Sequence, residues 1–116
     1  MLVARAGYPN RLALIERIDM SVYMIIDSKV KDKDKYRQYI EQVSPIVIKF
    51  GGRYHVCGEN IRAFGSWKPE RIIVIEFPTE NHVQDWLSSA EYKAIAPLRE
   101  DGADTQAILV DGYAHE

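Results

Sequence analysis

Residues 71–89 read RIIVIEFPTENHVQDWLSS. Four consecutive aliphatic side chains, Ile72 to Ile75, lie between Arg71 and Glu76, and Pro78 stops the run, which is the signature of a short strand. Past the proline the period changes. Val83, Trp86 and Leu87 recur at spacings of three and four, one face of a helix that Thr79 is suited to cap. A strand with one wet face alternates apolar and polar residues, and this one does not, so both of its faces are covered.

The same two-sided character marks Tyr23 to Ile26 in SVYMIIDS and Ile108 to Val110 in QAILVDGY, which read as a first and a last strand. Between them, residues 31–52 carry Tyr36, Tyr39, Ile40, Val43, Ile46, Val47 and Phe50 at the helical period. Asp32 is a natural N-cap there and Gly51 a natural stop, while Pro45 inside the stripe predicts a kink or a break. RYHVC and IRAF, separated by Gly58, Glu59 and Asn60, are either two arms of a hairpin or one bulged, bent strand. GSWKPE is a loop. Ser89 can cap a further helix carrying Tyr92 and Ile95, with Pro97 limiting its length.

In order these elements give an α+β, ferredoxin-like βαββαβ fold, with an antiparallel sheet and its helices on one face. The other face needs a cover. A second copy of the same sheet is the simplest one, which makes a homodimer, a dimeric α+β barrel. The pattern starts at Met20, so residues 1–19 are an N-terminal extension and residues 20–116 the barrel domain. Within the extension, Asn10 can cap a short helix in which Leu14, Ile15 and Ile18 share a face.

A chain of 116 residues, 47% hydrophobic and 28% charged, is the size of one domain. Its net charge of -2 offers no positive field for nucleic acid. The one cysteine, Cys57, has no partner for a disulfide or a CxxC motif, which suits the cytoplasm. No apolar stretch is long enough to span a membrane. There is no glycine-rich phosphate loop, nucleophile elbow, HExxH or dinucleotide fingerprint, so any reaction is expected to need no cofactor.

GGRYHVCGE, GSWKPERIIVIEFPT and SSAEYKAIAPLR resemble, in order and spacing, the bacterial domain-of-unknown-function family 1330, within the dimeric α+β barrel superfamily. The likeness runs from about Met20 to Tyr113 and rests on Gly51-Gly52-Arg53, Trp67-x-Pro69-x-Arg71, Glu76-Phe77-Pro78 and Ser89-x-Glu91-Tyr92. It implies a homodimer. Relatives in the superfamily include cofactor-independent monooxygenases, isomerising enzymes and proteins that only bind, so it implies no single activity. Ser66 stands where many members have an acidic residue, and Cys57 where a basic one is common.

Glu76 and His55 are the candidate catalytic groups, and Arg53, Trp67, Arg71 and Tyr92 the candidate ligand-binding ones. Glu76 shares a strand face with Ile72 and Val74; on an inward face its pKa would rise and it would serve as a general base. At a strand end it would instead pair with Arg53 or Arg71. Arg53, His55 and Cys57 alternate along one strand face, where histidine can shuttle a proton and arginine can clamp a carboxylate. Trp67 and Tyr92 would wall a pocket for a small planar or acyl compound. His55 and Cys57 lack the further ligands a zinc site needs, so no metal is expected. The two readings are a small homodimeric protein binding or converting a small organic molecule, of monooxygenase or isomerase kind, and a non-catalytic ligand-binding or structural dimer.

Overall fold

The computed structural model describes residues 21–113, and the N-terminal extension expected over residues 1–19 lies outside the described residues. The elements are β1 (Val22–Val30), α1 (Lys33–Lys49), β2 (Arg53–Gly58), β3 (Ile72–Phe77), α2 (Glu80–Ser88), α3 (Ala90–Gly102) and β4 (Ala103–Asp111). The sheet order is β2-β3-β1-β4, and every neighbouring pair is antiparallel. The fold is therefore α+β and ferredoxin-like.

The two helix starts after loops are fixed by side-chain oxygens. Asp32 accepts a hydrogen bond from the Lys35 backbone N–H at 3.1 Å, and Thr79 from that of His82 at 3.3 Å. Ser89 closes α2 and opens α3 at once, accepting from the Tyr92 N–H at 3.1 Å. Gly51 ends the α1 turn at a φ of 89°, a conformation that a side chain disfavours.

Neither internal proline acts as a stop. α1 runs on through Pro45 and α3 through Pro97. Each proline sits on the exposed side of its helix, so its ring meets solvent while the buried stripe continues past it: Val43 and Val47 on α1, and Ile95 and Gly102 on α3. One missing hydrogen bond is outweighed by apolar burial on the opposite face. Of RYHVC and IRAF only the first is a strand. It is bulged, its register shifting between Tyr54 and Val56, and residues 61–64 are loop, with Phe64 97% exposed.

Pairing register sorts the sheet's side chains. Val22 opposes Phe77, Met24 opposes Ile75 and Ile26 opposes Ile73, all toward the helices, where Phe77 and Val47 are fully buried. Tyr23, Ile25, Val74, Ile108 and Val110 point to the other face. That face is apolar and open in the single chain, with Ile108 61% and Val110 45% exposed.

Candidate functional site

Between the sheet and the three helices lies a cavity of about 240 Å³. Its floor is Met24, Ile26, Ile73 and Ile75 of the sheet; its roof comes from Tyr36, Tyr39 and Val43 on α1, Trp86 on α2, and Tyr92 and Arg99 on α3. Most of this lining is apolar. The polar groups form a chain: the Tyr39 and Tyr92 hydroxyls are 3.1 Å apart, and Arg99 Nε donates to Tyr92 Oη at 3.2 Å. Burial, and then the neighbouring Tyr92, push the Tyr39 phenol well above the ordinary tyrosine range. Tyr39 thus stays a neutral hydroxyl.

Arg71 leads from β3 toward the helices and lies 5.6 Å from the centre of the Tyr36 ring. Its Nη1 donates to Glu59 at 2.9 Å and its Nη2 to the Cys57 sulfur at 3.1 Å. Among the described residues Trp86 Nε1 is buried without a hydrogen-bond partner, while Tyr36 Oη and Arg71 Nε make no well-aligned hydrogen bond although the two side chains attract each other. Trp86 is only 2% exposed, so bulk water does not satisfy it.

Glu76 and His55 lie on the opposite face of the sheet. Glu76 Oε1 is 2.7 Å from His55 Nε2, Arg53 faces Glu76 across the β2–β3 pair, and the Tyr23 ring is 5.7 Å from that of His55. The expected alternation of Arg53, His55 and Cys57 on one face does not hold. The bulge after Tyr54 consumes one residue, leaving His55 beside Glu76 and turning Cys57, opposite Ile73, into the cavity wall. Glu76 is not inward, and its pKa is not raised. Hydrogen bonds from Ser21 and then His55, with the charge of Arg53, hold its carboxyl below the usual 4.5.

The sign of that shift sets a pH dependence. A carboxyl whose pKa falls on folding stabilises the fold fully above about 4.5, and the contribution disappears as pH drops through the lowered value. With the Glu76 side chain 23% exposed and partly screened, the gain is at most about 1 kcal/mol. Glu76→Gln is expected to lower stability at neutral pH and to converge with the parent chain in acid. Urea melts of both chains above and below pH 4.5 measure this, and parallel curves across that range would contradict it.

The six candidates thus divide. Arg53, His55 and Glu76 meet on the outer face; Arg71 and Tyr92 each lie on the helix side, Tyr92 in the cavity wall and Arg71 beside Tyr36, while Trp67 stands apart on the loop before β3. It is 63% exposed and its Nε1 donates to Asp27 at 3.2 Å, bordering a second, more polar hollow of about 520 Å³ rather than the cavity. Arg99 and Thr105 line both hollows and so form part of the wall between them. Arg99 was not expected. Its signal was the seven-residue step from Tyr92, two turns along one helix face. Among the described residues no cluster of three or more His, Cys, Asp or Glu side chains is placed to hold a metal, and no helix is long and apolar enough to cross a membrane.

An antiparallel four-stranded sheet carrying its helices on one face defines the class of ferredoxin-like α+β proteins. Within it the chain belongs to the domain of unknown function family DUF1330, whose sequence profile matches residues 21–113. A protein of unknown function from Rhodopseudomonas palustris superposes with a TM-score of 0.73 at 13% identity, over 84% of this chain and 85% of that one. A dimeric ferredoxin-like protein of unknown function from Thermobifida fusca gives 0.58 at 16%, over 82% and 93%. The cofactor-independent oxygenase SnoaB from Streptomyces nogalater gives 0.55 at 8%, over 84% and 95%. At these identities the likeness is one of fold. No curated protein matches in sequence.

Proposed function

We propose that this protein is a cytoplasmic homodimer that binds a small organic molecule in the cavity between its helices and its sheet. The observation that carries this is the cavity itself: about 240 Å³ of largely apolar space beside the buried indole N–H of Trp86, which has no hydrogen-bond partner among the described residues. A protein interior normally closes over such space and pairs such groups. The volume suits a compound smaller than a drug molecule, since pockets for those run to about 300 Å³ and beyond. The homodimer is supported by the open apolar face of the sheet and by the dimeric Thermobifida fusca protein of the same fold.

Conversion of that molecule without a cofactor is a second reading, favoured by one feature. The Tyr39 and Tyr92 hydroxyls and the Arg99 guanidinium form a continuous hydrogen-bonded path at the cavity wall, a means of holding or passing a proton. Glu76 and His55, on the outer face, would serve only a site built at the dimer seam. The test is a melting-temperature screen of small aromatic and carboxylic compounds. Hits that raise the midpoint with concentration, and that a bulky replacement at Val43 abolishes, support a binding site. No hit across such a set favours a purely structural dimer.

A further inference from the structure

The chemistry of the cavity wall restricts what it can hold, provided the reading of the cavity as a binding site is right. Among the described residues no aspartate or glutamate lines it. Its one charged lining residue among those described is Arg99. The second guanidinium nearby, Arg71, is already matched by Glu59 at 2.9 Å. Arg99 is not matched in that way: its Nη2 lies 4.0 Å from Glu100, whose side chain is 64% exposed, and its Nε donates to the Tyr92 hydroxyl. A pair so long and so wet leaves most of the guanidinium's charge unpaired. Trp86 Nε1, buried and without a hydrogen-bond partner among the described residues, is a donor only. The described wall therefore carries one guanidinium and no carboxylate, its remaining polar groups being neutral ones such as the hydroxyls of Ser28, Ser44 and Thr105.

We infer that the ligand is a monocarboxylate of about one aromatic ring in size, its carboxylate paired with Arg99 and its ring among Val43, Ile75 and Trp86. Size follows from volume: a cavity of about 150 Å³ takes benzene, and about 240 Å³ takes that ring with a carboxylate and a small substituent. A guanidinium fork matches a carboxylate with two parallel hydrogen bonds. A dianion such as a phosphate ester would leave a second charge unpaired among apolar side chains, at a much higher desolvation cost. Arg99 also lines the polar outer hollow, so the acid group sits at the wet end and the ring at the dry one.

The experiment titrates the uniformly ¹⁵N-labelled full chain with benzoate, neutral benzamide and cationic benzylamine, following the indole N–H signals in ¹H–¹⁵N spectra. Trp67→Phe assigns the two indoles. Benzoate is expected to move the Trp86 signal and to bind at least about tenfold more tightly than benzamide, with benzylamine weakest. Arg99→Gln is expected to bring benzoate and benzamide within about twofold of each other, and Arg99→Lys to keep part of the preference. If benzamide binds the parent chain as well as benzoate does, or if the preference survives Arg99→Gln, the carboxylate assignment is overturned while the cavity stands as a binding site. If none of the three compounds moves Trp86, the cavity reading falls with it.

Discussion

Ile108→Asp is expected to separate the proposed dimer while leaving each chain folded. Ile108 is 61% exposed and opposes Ile25 on the β1–β4 pair, facing away from the helices and their core. With Val110, Val56 and Val74 it makes an apolar patch on the outer sheet face, bordered by Arg53, His55 and Glu76, of a kind that soluble monomers seldom present to water. Packed sheet to sheet, a carboxylate there is buried without a partner, at about 3 kcal/mol or more. That is a hundredfold or greater rise in the dissociation constant, roughly. Light scattering should read about twice 13.3 kDa for the parent chain and about that mass for the variant, with the same far-ultraviolet spectrum. A parent chain already monomeric at high concentration would contradict the dimer.

Phe77→Ala is expected to have the largest effect on the fold itself. Phe77 is fully buried, opposes Val22, and stacks on Trp86 with ring centres 5.5 Å apart. Removing the ring forfeits its burial and leaves a void that the sheet cannot close, at about 3–5 kcal/mol. A domain of this size has about 5–15 kcal/mol in all, so the variant approaches the threshold of folding. The denaturation midpoint should fall with little change in slope. Trp86 also loses its support on the cavity wall, so ligand affinity should fall further than stability alone explains at temperatures where the chain is folded. A loss below about 1 kcal/mol would place Phe77 outside the core.

The strands and caps were legible because they depend on neighbours in the chain. Ile72 to Ile75 declare a two-sided strand, and Asp32, Thr79 and Ser89 each bond a backbone N–H three residues on. Pro45 does not break its helix and Pro97 does not end its own, because the burial that keeps these helices intact is tertiary. The site was legible only in fragments. Arg71 and Tyr92 do reach the helix side of the sheet, but the bulge at Tyr54 reassigns His55 and Cys57 to opposite faces, and nothing in RYHVC announces it. Trp86, Tyr36 and Tyr39 read as core by their spacing, and they are core; that they also wall a cavity depends on the 53-residue separation of Tyr39 from Tyr92, which no local pattern encodes.

The most direct test is a crystal structure of the purified protein soaked with a mixed set of small aromatic and carboxylic compounds. Density between β3 and α1, touching Trp86 and Tyr39 with an oxygen toward Arg99, is the predicted result. An interior closed by side chains, with density only against His55 and Glu76 on the outer sheet face, would contradict it.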